Sequence, residues 1–269
     1  MNPPDMPELQ QRIDELAPWF HNLHLPDGTG GRVQTCPDHP LGLGDFPAWK
    51  FEELSPHLPA DLAGLAALDI GCNAGYYAFA LAERGARVTA IDHDPRYLAQ
   101  ARLAQESLDP RQRVRFEQAD VYDLLHREQA FDVVLFLGVL YHLRYPLLAL
   151  DAIARRVKPG GTLFLQTLTA PGPDPARSPA IPDDVGLNDR ELMTQPHFPR
   201  LAFIEHRWAG DPTNWFAFDA AAVEAVLRSC GYEQVERLTD ELWRARKPGE
   251  AEAPWWDRGT LDRIAGKRG

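Results

Sequence analysis

The stretch Leu68-Asp69-Ile70-Gly71-Cys72-Asn73-Ala74-Gly75-Tyr76-Tyr77 decides the fold. It closes a short apolar run, residues 65–70, that glycine stops, which is the pattern of a buried parallel strand. Gly71 and Gly75 let the backbone turn tightly and come close to a ligand. Asn73 stands where another glycine often stands, and Asn tolerates positive φ better than other side chains. About twenty residues on, Ile91-Asp92 closes a second strand, residues 87–91, and puts a carboxylate where ribose hydroxyls can donate to it. Asp120-Val121 follows a third strand, Val114–Gln118. A glycine loop alone says little; the loop with both acidic strand ends is a nucleoside-binding pattern.

Outward from that loop, strands and helices alternate at short spacing. Helices are predicted at 77–84, 95–108 and 146–157, and further strands at 131–137 and 162–168. Such alternation gives an α/β fold, Rossmann-like and doubly wound, whose mostly parallel sheet is covered on both faces. Helix 219–229, with Asp219 as N-cap and Gly231 past its end, leads to strands 232–238 and 242–246. Those two are too closely spaced for a crossover helix, so they pair antiparallel and complete a seven-stranded sheet with an antiparallel closing strand.

The flanks have their own character. Residues 1–58 read as a helical and loop extension, with helices at 9–16 and 49–54 and a loop-like PWFHNLHLPDGTGG between. Residues 59–248 form the main domain. Within it, 170–214 opens on the proline-rich APGPDPARSPAIP and reads as an irregular lid insertion over the ligand edge. Large apolar residues at Phe198, Leu201, Phe203, Ile204 and Trp208 are expected to dock that lid, with His206 or Arg207 facing inward. The tail 249–269 carries Trp255 and Trp256, which suggests that it docks as well.

Composition bounds the rest. The 269 residues are 44% hydrophobic and 25% charged, as in an ordinary globular protein with a substantial core. No apolar run reaches the ~20 residues of a membrane span, and the polar, acidic start is unlike a signal peptide. Cys36, Cys72 and Cys230 are isolated, which points to a reducing, cytoplasmic setting and to neither disulfides nor a structural metal. The formal net charge is −11. Arg111, Arg113 and Arg115 read as a solvated strand edge, and Arg155, Arg156 and Lys158 as a helix end that complements its dipole. Without a basic run, nucleic acid is disfavoured as partner and a small molecule favoured.

The ligand's charge is legible too. A dinucleotide fingerprint places pyrophosphate on the helix N-terminus through a third glycine. Here bulky Tyr76-Tyr77 follows Gly75, and Asp69 precedes the loop. A carboxylate there repels pyrophosphate and suits the ammonium and sulfonium of S-adenosylmethionine.

LDIGCNAGYYAFAL, IDHD and FDVVLFLGVLYHLRYPLLALDAIARRVKPGGTLFLQTL together resemble the class I methyltransferases. GVLYH, with DFPAWKFEELSPHL before the loop and NWFAFDAAAVEAVLRSCGYEQVERL near the end, is similar to the tRNA wobble-uridine carboxymethyltransferase family. The resemblance implies cofactor contacts at Gly71, Asp92, His93, Asp94, Asp120, Val121, Leu137 and Tyr141, and a lysine, Lys50, that meets an extra carboxylate on the family's cofactor. The family's second lysine and its tryptophan have no counterpart between Gly30 and Asp45, where only Arg32 is a permanent cation. An unpaired carboxylate in a partly buried site is costly. Plain S-adenosylmethionine is therefore expected, with Lys50 turned to the substrate or to Asp69.

Tyr141 and His142 lie just past the fourth strand, at the edge where such sheets bind ligands. His142 and Tyr141 are the catalytic candidates: His142 suits an acceptor that loses a proton, and Tyr141 also suits a cofactor wall. His21 and His24 sit in an aromatic loop; His21, His206, Arg207 and Trp215 are candidate substrate contacts. The two histidines lack the carboxylates a metal set needs. The expected activity is methyl transfer to a hydroxyl or amine of a small molecule. Transfer to a tRNA wobble uridine is the alternative, and a non-catalytic module that binds S-adenosylmethionine the second.

Overall fold

A computed structural model describes residues 6–109, 111–249 and 259–266. The chain divides into two compact units, Met1–Asp123 with Phe131–Leu135, and Leu124–Ala130 with Phe136–Gly269.

The first unit runs α1 (Met6–Glu15), β1 (His24–Pro26), β2 (Arg32–Gln34), α2 (Ala48–Leu54), β3 (Ala66–Ile70), α3 (Tyr76–Glu83), β4 (Arg87–Asp92), α4 (Pro95–Leu108) and β5 (Val114–Gln118). Strand β3 pairs in parallel with β4, Ile70 opposite Ile91, and β4 with β5, Asp92 opposite Gln118. Leu68, Ile70, Leu81 and Ile91 are fully buried around them. Removing each such side chain from water contributes roughly 1.5–3 kcal/mol. Residues 6–50 are built into this unit. Arg12 grips Glu106 of α4 through two bonds of 2.8 and 2.6 Å, and Gln100 Nε2 donates to the Leu16 and Pro18 carbonyls. Within the stretch 18–31 expected as loop, residues 24–26 form a strand that pairs with 32–34 in a hairpin. Asp27 closes it by accepting the Thr29 and Gly31 amides on Oδ1 at 2.8 Å each, an Asx-type turn.

The second unit contains α5 (Pro146–Ala154), β7 (Val157–Gln166), β8 (Leu201–Phe203), β9 (Phe216–Phe218), α6 (Ala220–Ser229), β10 (Gln234–Arg237), β11 (Leu242–Arg246) and α7 (Thr260–Ile264). Its buried centre includes Phe136, Phe164, Leu227 and Trp243. With β6 (Phe131–Leu137), the sheet has seven strands in the order β10-β11-β7-β6-β3-β4-β5. Its antiparallel ladders are β10 with β11 and β11 with β7, as the close spacing of the last strands requires. Asp219 caps α6 by accepting the Ala222 amide at 2.7 Å.

Three expectations are corrected in this unit. Helix 146–157 ends at Ala154, because Lys247 Nζ takes the terminal Ala154 and Val157 carbonyls at 2.9 and 3.2 Å and lets Val157 open β7. Arg155 and Arg156 thus stand past the helix end, Arg155 paired with Asp262 at 2.6 Å, and Lys158 lies in the strand. Residues 201–203, expected irregular, pair antiparallel with β9, placing Phe203 opposite Phe216 with rings 5.5 Å apart. Leu201, Phe203 and Trp208, expected to dock, are 44%, 52% and 57% exposed. Trp255 and Trp256 lie outside the described residues. Among the described residues no helix is long and apolar enough to cross a membrane.

Candidate cofactor site

The loop between β3 and α3 is held by the end of β4. The Gly71 and Cys72 amides both donate to the Ile91 carbonyl, at 2.8 and 3.0 Å, and the Gly75 amide to the Cys72 carbonyl at 2.8 Å. Gly71, Asn73 and Gly75 all have positive φ, 70°, 50° and 87°, and the Asn73 side chain accepts the Ala74 amide at 2.7 Å. At Gly75 a side chain meets a second obstacle: a Cβ would fall 2.8 Å from Phe116 Cζ. The loop therefore exists only with small or left-handed residues at these positions.

Asp92 orders the same loop. Its Oδ2 accepts the Asn73 amide and its Oδ1 the Asp94 amide, each at 2.9 Å. Each oxygen keeps one lone pair for a further donor. Burial raises the Asp92 carboxyl above its ordinary range, and those two amides oppose the shift. Asp69 is deeper still. Burial, and then the neighbouring Asp92, push its carboxyl up to about 7 against a backbone bond from Ala78. Among the described residues its Oδ2 has no hydrogen-bond partner. A buried, unpartnered acceptor beside a backbone cradle fits a cationic donor.

Other residues named from the sequence have narrower roles. Asp94 is the N-cap of α4, accepting the Arg96 amide at 2.8 Å. His93 is exposed, its Nδ1 3.5 Å from Asp92 Oδ1. Asp120 accepts the Tyr122 amide at 3.0 Å, and Val121 is buried beside it. Lys50 does not reach for Asp69. It bonds Glu53 Oε2 at 3.2 Å and lies 5.2 Å over the Trp49 ring. His21 is buried with its ring 6.0 Å from that of Tyr77, and burial holds it neutral, lowered to about 3. Among the described residues its Nδ1 has no hydrogen-bond partner. His24 pairs with Asp45 at 2.8 Å.

The second unit gathers a different set. Leu137 ends β6, and the turn Leu140–His142 follows. Burial, then Glu241 and Asp211, push the Tyr141 phenol up to about 12, so it stays protonated. The Trp215 amide donates to the Tyr141 carbonyl at 2.8 Å. The Arg144 guanidinium lies 4.9 Å over the Trp215 ring and 5.4 Å over that of Phe203. His206 and Arg207, expected to face inward, are exposed. Three residues of this set, Asp211, Thr213 and Arg144, escaped the sequence reading. The spacing Asp211-x-Thr213, which builds a local side-chain turn, was the available signal for the first two.

Comparison with known proteins fits this geometry. The family described as methyltransferase domain matches residues 68–165. The tRNA U34 carboxymethyltransferase of Hahella chejuensis is 31% identical over 194 residues, 72% of this chain and 52% of that protein. Its namesake in Aeromonas hydrophila is 28% identical over 265 residues, 88% of this chain and 73% of that protein. The chain spans about half the length of the first curated relatives it matches. Among solved structures, the N-terminal domain of EvdMO1 with SAH bound superposes with a TM-score of 0.58 at 22% identity, covering 91% of this chain and 96% of that one, a likeness of fold. Residues 68–165 thus match the methyltransferase domain family, the sheet has the fold of EvdMO1's N-terminal domain, and over 72% of its length the chain is similar to a tRNA U34 carboxymethyltransferase.

Proposed function

We propose that the chain is an S-adenosylmethionine-dependent methyltransferase whose acceptor is a base of tRNA, the wobble uridine that its curated relatives are named for. Charge alone favours a small molecule, but the curated relatives are named for tRNA, and one of them aligns over 88% of this chain. One observation of this chain carries the reading: Arg144 stacked on Trp215 and Phe203, with Phe203 and Trp208 open to solvent. Interleaved cations and exposed aromatics are how proteins hold unstacked bases, at ~1–3 kcal/mol per stacked base. Arg200 and Arg207 lie on the same segment.

In this reading Asp92 takes the ribose hydroxyls on its two free lone pairs, and Asp69 faces the ammonium. The Gly71–Gly75 turn leaves room for the nucleoside, and Asp120 and Val121 flank the base. When bound, S-adenosylmethionine supplies a methyl group on a sulfonium. The protein's share is orientation, for which effective molarities reach ~10⁵ M, together with removal of the acceptor's proton.

The test is to incubate the protein with methyl-labelled S-adenosylmethionine and unmodified total tRNA, then digest the RNA and identify labelled nucleosides by mass spectrometry. Label in a uridine-derived nucleoside is expected. Label excluded from RNA but entering a small-molecule extract would overturn the acceptor. It would restore the second reading, a small-molecule acceptor, which the net charge of −11 favours.

A further inference from the structure

His142 ends the turn Leu140–His142, five residues past the carboxyl end of β6. Its Nδ1 lies 2.9 Å from Thr213 Oγ1 and 3.7 Å from Asp211 Oδ2. Thr213 Oγ1 is in turn 2.6 Å from Asp211 Oδ1, and the Thr213 amide donates to that same oxygen at 2.7 Å. The turn that carries Asp211 and Thr213 is fixed at both ends. The Trp208 and Asp211 backbones exchange bonds of 3.1 and 2.9 Å, and the Trp215 amide is tied to the Tyr141 carbonyl.

Proton counting fixes the roles. Burial opposes ionisation of Asp211, but the Thr213 hydroxyl and amide, together with the neighbouring His142, outweigh it and hold the carboxyl below its ordinary range. At neutral pH Asp211 is therefore an acceptor only, and the single hydroxyl proton of Thr213 goes to it. The Thr213 oxygen then accepts from His142, so Nδ1 carries the ring proton and Nε2 keeps its lone pair.

We propose that Asp211 and Thr213 are positioning residues which lock His142 in the Nδ1–H tautomer and present Nε2 as the base for the acceptor's proton. The proposal rests on the methyl-transfer reading above. As the acceptor's O–H or N–H heteroatom gains the methyl group, its proton passes to Nε2 and the electron pair of the broken carbon–sulfur bond returns to sulfur. The new imidazolium charge then faces the Asp211 carboxylate. The other titratable groups around it are the Tyr141 phenol, whose ring centroid is 4.2 Å from the imidazole, and Glu241, which acts on that phenol. Both the buried phenol and the imidazole are neutral at pH 7: burial lowers His142, and Asp211 and Thr213 only partly offset it.

Nitrogen NMR of protein labelled in its histidine rings tests the relay, with His142→Gln assigning the signal. The wild type is expected to show the neutral Nδ1–H tautomer at pH 8. Thr213→Val should lose that preference and Thr213→Ser keep it. Asp211→Asn removes the charge that stabilises the imidazolium, so the His142 pKa should fall by about one unit. The acid limb of kcat/KM should move down with it, and kcat should drop about tenfold or more. An Nε2–H tautomer in the wild type, or a His142 titration unmoved in Asp211→Asn, would overturn the relay. Tautomer and titration are read without any acceptor. A failure of tRNA as acceptor therefore leaves them standing, and a failed relay in a protein that methylates tRNA leaves the acceptor standing.

Discussion

Asp69 concentrates the chemistry of the proposed cofactor site in one buried carboxyl. The sign of its titration is set by burial: the folded group, at about 7, holds its proton more tightly than the unfolded one at 3.8. Its contribution to the ligand-free protein is thus fully present below about 4 and lost as pH rises through about 7. A cationic ligand reverses the preference, because only the ionised carboxylate attracts it. Affinity for S-adenosylmethionine should therefore climb between about pH 6 and pH 8 in the wild type and stay flat in Asp69→Asn, as read by calorimetry at each pH. An equal climb in both would remove Asp69 from the site. Lys50 gives a second test at this scale. Paired with Glu53, it is not a free cation awaiting a carboxylate. A form of the cofactor with an extra carboxylate should bind no tighter than the plain one in a side-by-side titration. Tenfold tighter binding would mean that Lys50 or Arg32 is redirected to meet it.

At the scale of elements, the β3–α3 connection is where sequence and geometry constrain each other most. Gly75→Ala meets both a left-handed backbone and the Phe116 ring, and should cost about 1–3 kcal/mol in urea unfolding. A loss under about 0.5 kcal/mol would mean that the ring swings aside freely. This connection was legible because its constraint is local: glycine, asparagine and an acidic strand end answer to φ and to hydrogen bonds within twenty-five residues. The same holds for α4 with its Asp94-Pro95 start and for α6 with Asp219. What escaped the sequence was set from afar. Val157 opens a strand and not a last helical turn because Lys247, ninety residues on, takes the helix's carbonyls. Leu201–Phe203 is a strand because Phe216–Phe218 pairs with it. Asp211 and Thr213 gained meaning only when their turn met His142.

For the molecule as a whole, charge and relatives point to different acceptors. A net −11 spread over 269 residues argues against nucleic acid on average, yet an arginine stacked on two aromatics is a local feature that no total reveals. The doubly wound sheet was legible from alternation, whereas the division into two compact units was not, since it cuts through β6. The central claim is that the glycine loop and Asp92 together form a nucleoside site for S-adenosylmethionine. Calorimetric titration of S-adenosylmethionine into the wild type and into Asp92→Ala, both checked for fold by circular dichroism, tests it most directly. Two bonds to a charged acceptor are worth ~1.5–3 kcal/mol each, so the variant should bind at least about tenfold more weakly with its fold intact. Equal affinity in the two proteins would contradict the account.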